Sequence, residues 1–214
     1  MIRDKFIYSM ETKKSIKVID IIFALICGRV LAFVANDFLK EYGMDAGIYR
    51  WTFIILLPLL SLLGLWVAFL IGKKLLFVFQ GAKHILIGIF ATVADLKFFE
   101  FLTFVFSLMF LTINPVISKG ASFLVATAIK YWGNKYWAFE KPEKDGIKKE
   151  VAQFLVITAV GLVIDVGSFY YFNKVMGPQF GMSFAFWQKM SVILAAIVSA
   201  VWNFLGYKFI VFKK

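Results

Sequence analysis

Two aspartates lie deep within apolar runs of the sequence, where a carboxylate could bind a polar substrate. Asp95 lies in the segment 83–99 (KHILIGIFATVADLKFF) and Asp165 in the segment 153–169 (QFLVITAVGLVIDVGSF), which align without a gap about seventy residues apart. A carboxylate within a membrane is costly, so such residues commonly accept hydrogen bonds from a substrate or take part in proton transfer. Because the acidic position recurs, the sequence predicts an internal repeat.

A helix would place each aspartate on a face of small and polar residues. Positions i, i+3, i+4 and i+7 share one side of a helix. The first copy carries Gly88, Ala91, Thr92 and Asp95 on this face, and the second carries Thr158, Gly161, Asp165 and Ser168. The remaining surface is apolar, which is typical of a helix surrounded by lipid or by other helices.

The composition predicts an all-α polytopic membrane protein. The chain has 214 residues, of which 61% are hydrophobic and 17% charged, whereas soluble domains carry roughly 25% charged residues. The clearest span, Trp51 to Gly72, contains no charge and is long enough to cross a hydrocarbon core of about 30 Å. No hydrophilic stretch is long enough to form a soluble domain.

We predict six transmembrane helices. They cover residues 17–38, 51–72, 84–109, 118–138, 151–173 and 185–207, with an apolar connector before the third. If the N-terminus is inside, most lysines and arginines fall on the cytoplasmic side, as the positive-inside rule requires. We therefore expect a multi-pass protein of the plasma membrane, bacterial or archaeal, with both termini in the cytoplasm.

Several classes of function have no support in the sequence. Cys27 is the only cysteine and His84 the only histidine, so we expect no disulfide, no metal site and no cofactor. The net charge is +11, but no nucleic-acid-binding module is present, and we expect no nucleic acid partner. We identify no catalytic residue and do not expect an enzyme.

Arg29 lies within the first predicted span. It stands beside a row of small residues spaced four apart, Ala24, Gly28, Ala32 and Asn36, along which another helix could pack closely. An arginine at mid-membrane costs about 2.5–3.5 kcal/mol on insertion scales. Two interpretations stay open: a pair within the bundle, or a ligand for a lipid phosphate.

The fourth and sixth spans also resemble each other. One face of the fourth carries Ser122, Ala126, Lys130, Gly133 and Asn134, and the corresponding face of the sixth carries Ala195, Ser199, Asn203 and Gly206. Lys135 in the first copy corresponds to Lys208 in the second, at a spacing of about 73 residues. Each copy crosses the membrane twice in the same sense, which predicts parallel repeats related by an axis near the membrane normal.

These motifs resemble the GtrA-like family of small membrane proteins. The family's hairpins open with G-x-x-N-T-x-x-D and close with N-x-x-x-N-R-x-W-x-F. The chain has Gly88, Ala91, Thr92 and Asp95 at the first opening, Lys130, Asn134, Lys135, Trp137 and Phe139 at the first closing, and Asp165, Asn203, Lys208 and Phe212 in the second copy. It departs from the pattern at Ala91 and Lys130, at the two lysines that replace arginine, and at Tyr207.

The resemblance implies a four-helix domain at 81–214, with repeats at 83–141 and 153–214, preceded by an additional hairpin with its connector at 1–80. It also implies the flipping of a polyprenyl-phosphate-linked sugar for cell-surface polysaccharide or glycolipid synthesis. The expected partners are that lipid-linked sugar, membrane lipids, membrane glycosyltransferases and a second copy of the chain in a dimer.

The resemblance suggests roles for the polar residues. The two aspartates would accept hydrogen bonds from sugar hydroxyls, and Lys130, Lys135 and Lys208 would neutralise the phosphate. Thr92, Ser122, Ser199 and Asn203 would line the path. Alternatively, Asp95 pairs with Lys97 or Lys130, Asp165 hydrogen-bonds to neighbouring helices, and Lys135 and Lys208 are anchors set by the positive-inside rule.

Two other functions fit the same residues. In a proton-coupled exporter, the aspartates would exchange protons for a cationic substrate. In a membrane partner of a glycosyltransferase, the protein would transport nothing itself. Lys97 and Glu100 are expected to pair along a helix, and Trp132, Tyr136, Trp137, Phe209 and Phe212 are expected to form an aromatic belt at the membrane interface.

Overall fold

A computed structural model describes residues 15–41, 47–108, 115–141, 143, 146–181 and 184–213. Within these residues the chain forms helices and no strand, so the predicted all-α polytopic fold is confirmed. Six α-helices follow one another: α1 (Val18–Glu41), α2 (Gly47–Gly72), α3 (Leu76–Leu108), α4 (Pro115–Trp132), α5 (Ile147–Tyr170) and α6 (Phe184–Gly206). Each predicted span coincides with one of them.

Three stretches are long and apolar enough to cross a membrane when judged by length and composition among the described residues. They are Trp51–Gly72, Ile147–Met176 and Leu194–Val211. The first has a mean hydropathy of 2.7 and only 11% of it is buried within the protein. Such an exposed apolar surface requires a lipid environment.

The connector before the third predicted span is part of α3. After α2 the chain turns through Lys73 and Lys74, whose backbone N–H groups bond to the carbonyls of Phe69 and Ile71. Helix α3 then begins at Leu76 and continues without interruption to Leu108. The hydrogen-bonded turn is therefore only a few residues long.

The small-residue row of α1 packs against α2, as the sequence predicts. Ala24, Ala32 and Asn36 are buried, and Gly28 lies so close to Leu57 and Pro58 that a side chain there would overlap their backbone. Close backbone approach at small residues is a common way for membrane helices to associate. Helix α1 therefore forms a tight hairpin with α2.

Three helices end in a wider, π-helical segment. These segments are Gly133–Ala138 after α4, Tyr171–Met176 after α5 and Tyr207–Val211 after α6. We call Gly133–Ala138 the first closing segment and Tyr207–Val211 the second closing segment, because both lie on the predicted closing motifs. Segments of π-helix are rare and are found frequently at functional sites.

The chain divides into two compact units, Met1–Ala138 and Phe139–Lys214. The first contains α1 to α4, and we call α3 with α4 the first hairpin. The second contains α5 and α6, the second hairpin, and its core includes Phe139 stacked on Phe204 and Phe212. Gly146, at a positive φ of 73°, precedes α5. The predicted division at residues 80 and 81 stays a prediction.

Candidate functional site

Asp95 lies half-buried on α3, where α4 packs against it. The hydroxyl of Ser122 on α4 donates a hydrogen bond of 2.6 Å to one oxygen of its carboxylate. A distance this short is typical of a hydroxyl bonded to a charged acceptor. Lys97 and Glu100 form their predicted pair at 2.9 Å, with both side chains partly exposed. The first hairpin therefore fixes one carboxylate oxygen within its helix contact.

The neighbouring opening residues leave room beside the helix. Thr92 is exposed and its hydroxyl donates to the carbonyl of Gly88, one turn earlier, at 2.9 Å. A side chain added at Gly88 would meet nothing within 4 Å. This glycine therefore marks open space about two turns from Asp95.

The closing end of the first hairpin is held by a buried histidine–asparagine bond. Asn134 is 1% exposed, its oxygen lies 2.7 Å from Nδ1 of His84, and its amide donates to the carbonyl of Lys130 at 2.7 Å. An amide oxygen only accepts, so the imidazole donates from Nδ1. The half-buried Lys130 is close enough to His84 to interact with it electrostatically.

Lys135 is fully buried, although its residue type and position predicted a phosphate ligand. Its side chain has an exposed fraction of 0%, and its amine lies 3.5 Å from the hydroxyl of Tyr131. The amine also faces the rings of Tyr131 and Tyr136, at 5.8 and 5.9 Å from their centres. In this conformation the lysine is buried, with its amine beside Tyr131 on α4 and Tyr136 in the closing segment.

The second hairpin holds the predicted Asp165, Asn203 and Lys208 in a different setting. Asp165 is half-buried on α5, and Asn203 lies directly against Gly161. Ser199 donates to the carbonyl of Gly161 at 2.8 Å. Within the described part of the chain, the buried oxygen of Asn203 has no hydrogen-bond partner.

Lys208 and Arg29 are more accessible than Lys135. Lys208 is half-buried and faces the rings of Phe204 and Phe209, at 5.8 and 5.3 Å from their centres. Arg29 lies on the exposed side of α1, outside the small-residue row. Of the nine predicted site residues, Thr92, Asp95, Lys130, Asn134 and Lys135 share the first hairpin, Asp165, Asn203 and Lys208 share the second, and Arg29 stands apart.

A buried polar cluster in the first unit was not predicted from the sequence. The amine of Lys83 lies 2.8 Å from an oxygen of Asp20, and the two side chains are 2% and 1% exposed. The indole N–H of Trp137 donates to the same Asp20 oxygen at 2.7 Å. The signal was an aspartate in the first turn of α1, three residues after Lys17, whose backbone N–H bonds to the other carboxylate oxygen.

This cluster corrects part of the predicted aromatic belt. Trp137 is only 7% exposed and Phe212 only 2%, so both belong to the protein interior and their placement in a belt was wrong. Trp132, Tyr136 and Phe209 are exposed, as the belt requires. Trp137 is inside because its indole N–H has a buried carboxylate to bond, and Phe212 because it stacks within the second unit.

The two hairpins place glycine against isoleucine at equivalent positions. A side chain added at Gly133 would lie 3.0 Å from Ile87, and one added at Gly206 would lie 2.5 Å from Ile157. The predicted alignment makes Gly133 correspond to Gly206 and Ile87 to Ile157. A glycine therefore packs against an isoleucine at the same aligned positions in both hairpins.

An apolar groove of about 340 Å³ lies in the first unit, on α1 and α2. It is lined by Ile16, Ile21, Leu59, Leu62, Leu63 and Trp66, and none of the nine predicted site residues lines it. No group of three metal-ligating side chains occurs among the residues described.

A protein-family model described as "GtrA/DPMS, transmembrane domain" matches residues 83–212. The match covers both hairpins and both closing segments, and it confirms the family indicated by the opening and closing motifs. Comparisons with curated proteins and with solved structures gave no significant match.

Proposed function

The chain belongs to the GtrA/DPMS transmembrane family, and we propose that it flips a polyprenyl-phosphate-linked sugar across the membrane for cell-surface polysaccharide or glycolipid synthesis. The family is associated with glycosylation and sugar–lipid processes. The apolar tail of such a substrate can stay in lipid, whereas its sugar and phosphate must cross a region where unpaired polar groups are expensive. Only the head group requires a polar path through the protein.

The observation that carries the proposal is the bond between Asp95 and Ser122. It places a carboxylate at a helix contact within a hairpin whose surroundings are largely apolar. One carboxylate oxygen accepts the serine hydroxyl, and we propose that the carboxylate also accepts a hydroxyl of the sugar. The same helix has open space beside Gly88, about two turns away, and the exposed Thr92 supplies a neutral oxygen between them.

We propose that the second hairpin carries an equivalent set of polar groups for the substrate. Asp165 would be its carboxylate, and the unpartnered oxygen of Asn203 is an acceptor for a sugar hydroxyl. The repeated glycine–isoleucine contacts support descent of both hairpins from one duplicated unit. In this proposal the repeats are parallel and the protein acts as a dimer that binds membrane lipids and glycosyltransferases.

The phosphate needs cations near the membrane surface. Lys208 and Lys130, both half-buried, are the residues we assign to it, and Lys135 joins them only if the first closing segment opens. Arg29, exposed on α1, would bind a lipid phosphate outside the hairpins. We propose no catalytic residue and expect both termini in the cytoplasm.

A reconstitution experiment tests this function. Liposomes with and without the protein are loaded with a fluorescent polyprenyl-phosphate hexose, and loss of outer-leaflet fluorescence is followed after adding a membrane-impermeant quencher. We expect protein-dependent flipping, reduced about tenfold or more by Asp95→Asn together with Asp165→Asn, since a hydrogen bond to a charged group contributes roughly 1.5–3 kcal/mol.

Glu100→Gln is the matched control. It removes a carboxylate from the same helix, α3, but from a partly exposed pair with Lys97, and it should leave flipping unchanged. Absence of any protein-dependent flipping would contradict the proposal. So would full activity of the double aspartate variant.

A further inference from the structure

The additional N-terminal hairpin contacts the first closing segment through one face of α1. Asp20, Phe23 and Cys27 lie three to four residues apart on this face. Phe23 stacks on Trp137 with ring centres 4.7 Å apart, and the thiol of Cys27 donates to the carbonyl of Leu86 at 3.5 Å. Helix α1 therefore covers the start of α3 and the closing segment at the same time.

Asp20 is the polar centre of this contact. One of its oxygens accepts the indole N–H of Trp137 at 2.7 Å and lies 2.8 Å from the amine of Lys83. The same amine lies 3.4 Å from the carbonyl oxygen of Trp137. The three groups thus form a closed set of contacts that joins α1, α3 and the first closing segment.

These groups are buried, so the loss of any one of their contacts is energetically costly. Lys83 and Asp20 are almost completely buried, and Lys83 also faces the rings of Phe79 and Trp137 at 4.5 and 5.5 Å from their centres. Removing one partner of a buried pair leaves the other desolvated and uncompensated, which is strongly unfavourable. If Asp20 left this position, the amine of Lys83 and the indole N–H of Trp137 would both lose a buried hydrogen-bond acceptor.

The second closing segment is held by groups of its own unit. In the second hairpin, the positions equivalent to Lys83 and Trp137 are Gln153 and Ile210, and Ile210 is 50% exposed. Within the second unit, Tyr207 stacks on Phe154 at 4.6 Å. The amine of Lys141 lies 3.4 Å from the carbonyl oxygen of Val211 and 3.5 Å from the carboxylate of Glu150 on α5. The requirement for an external carboxylate is therefore specific to the first hairpin.

We propose that Asp20 is a positioning residue, by which the additional hairpin holds the first closing segment, and with it Lys135, in the enclosed conformation. In this role α1 stabilises the conformation of the first hairpin, in addition to anchoring the chain in the membrane. The proposal does not rest on which lipid the protein moves, because its readout is the conformation of the closing segment itself.

Cysteine accessibility in the full-length protein tests the proposal. Ala138→Cys places a reporter at the end of the first closing segment, where the native residue is 3% exposed, and Val211→Cys places a matched reporter in the second, where it is 2% exposed. Both are made in a Cys27→Ser background, which keeps a donor at that site. The measurement is the rate of maleimide labelling in native membranes.

Asp20→Asn and Trp137→Phe should each raise labelling at the first reporter about ten- to a hundredfold. Asp20→Asn removes the charge that pairs with Lys83, and Trp137→Phe removes the indole N–H that bonds to Asp20. Labelling at the second reporter should not change. If Asp20→Asn impairs folding, Trp137→Phe still decides, since it removes the indole N–H with part of the ring volume and retains an aromatic ring against Phe23. Labelling unchanged at the first reporter, or raised equally at both, would overturn the proposal.

A charge exchange separates positioning from simple stabilisation. Asp20→Lys combined with Lys83→Asp restores an ion pair between α1 and α3, but α1 then no longer carries the carboxylate that accepts the indole N–H of Trp137. We expect the melting temperature to recover relative to Asp20→Asn while labelling at the first reporter stays high. Recovery of both measurements would show that only the ion pair matters and would overturn the positioning role.

Discussion

His84 donates a hydrogen bond to the side-chain oxygen of Asn134 over 2.7 Å in the first hairpin. At the equivalent place in the second hairpin, Phe154 stacks on Tyr207, with ring centres 4.6 Å apart. The two pairs occupy the same aligned positions and join the same two helices of their hairpins. The contact is a hydrogen bond in the first hairpin and aromatic stacking in the second. The aligned positions that meet are therefore the same, although the side chains differ in chemistry.

Exchanging the pair of the first hairpin for that of the second tests this equivalence. His84→Phe alone should destabilise by roughly 1–3 kcal/mol, because it leaves the buried oxygen of Asn134 without its donor. Asn134→Tyr alone should have a similar cost, because it leaves the imidazole N–H of His84 without the oxygen that accepts its hydrogen bond. Combined, they should lie within about 1 kcal/mol of the wild type, since an aromatic pair contributes its own stacking energy.

The measurement is a double-mutant cycle from equilibrium unfolding in detergent micelles, with each variant's free energy of unfolding compared with the wild type. Costs that simply add in the double variant would show that the two hairpins do not share this geometry.

The sequence predicted the six helices because long apolar runs leave the backbone no alternative in lipid. It also predicted the row of small residues on α1, since the spacing of Ala24, Gly28 and Ala32 alone identifies a close helix contact. It could not predict the contact between Asp20 and Lys83. These residues are far apart in sequence, and each alone is typical of a solvated helix end.

The closing segments show the same limit. Lys135 and Lys208 align in sequence and predicted the same role, yet one is fully buried and the other half-exposed. The two π-helical segments place their aligned lysines in surroundings of different burial. The residue pattern is the same in both copies and does not predict this difference. Burial of Trp137 likewise follows from Asp20, a partner outside the aligned repeat.

Gly133 and Gly206, the aligned glycines that pack against isoleucine, should differ in their tolerance of a methyl group. Gly206→Ala places the new carbon 2.5 Å from Ile157, whereas Gly133→Ala places it 3.0 Å from Ile87. We expect Gly206→Ala to destabilise the protein by about 1–3 kcal/mol through overpacking, and Gly133→Ala by less. Gly167→Ala, with nothing within 4 Å, is the control and should stabilise α5 by up to about 1 kcal/mol. Thermal unfolding of the three purified variants checks this order, which a larger loss for Gly133→Ala would contradict.

The two aligned lysines should affect different measurements. Lys208→Gln should raise the KM for a polyprenyl-phosphate substrate about tenfold, because it removes a charged donor from an accessible position. Lys135→Gln should leave KM unchanged and lower the free energy of unfolding by roughly 1–3 kcal/mol, because the side chain is enclosed. Flipping rates over a range of substrate concentrations give KM, and exposed Lys213→Gln is the control. An increase in KM for Lys135→Gln without loss of stability would show that the buried lysine contacts the phosphate.

The bond from Ser122 to Asp95 should be stronger than a neutral hydrogen bond if the carboxylate is charged. Ser122→Ala should then cost about 1.5–3 kcal/mol in the wild type but only about 0.5–1.5 kcal/mol in an Asp95→Asn background, where the acceptor is neutral. Ser199→Ala, which removes a serine bonded to the backbone carbonyl of Gly161, is the control and should show the smaller cost. Unfolding of the four variants of the Asp95–Ser122 cycle gives the coupling energy directly. Equal costs in both backgrounds would mean that Asp95 is neutral, and a neutral Asp95 would favour the exchange of protons over the binding of sugar hydroxyls by a fixed charge.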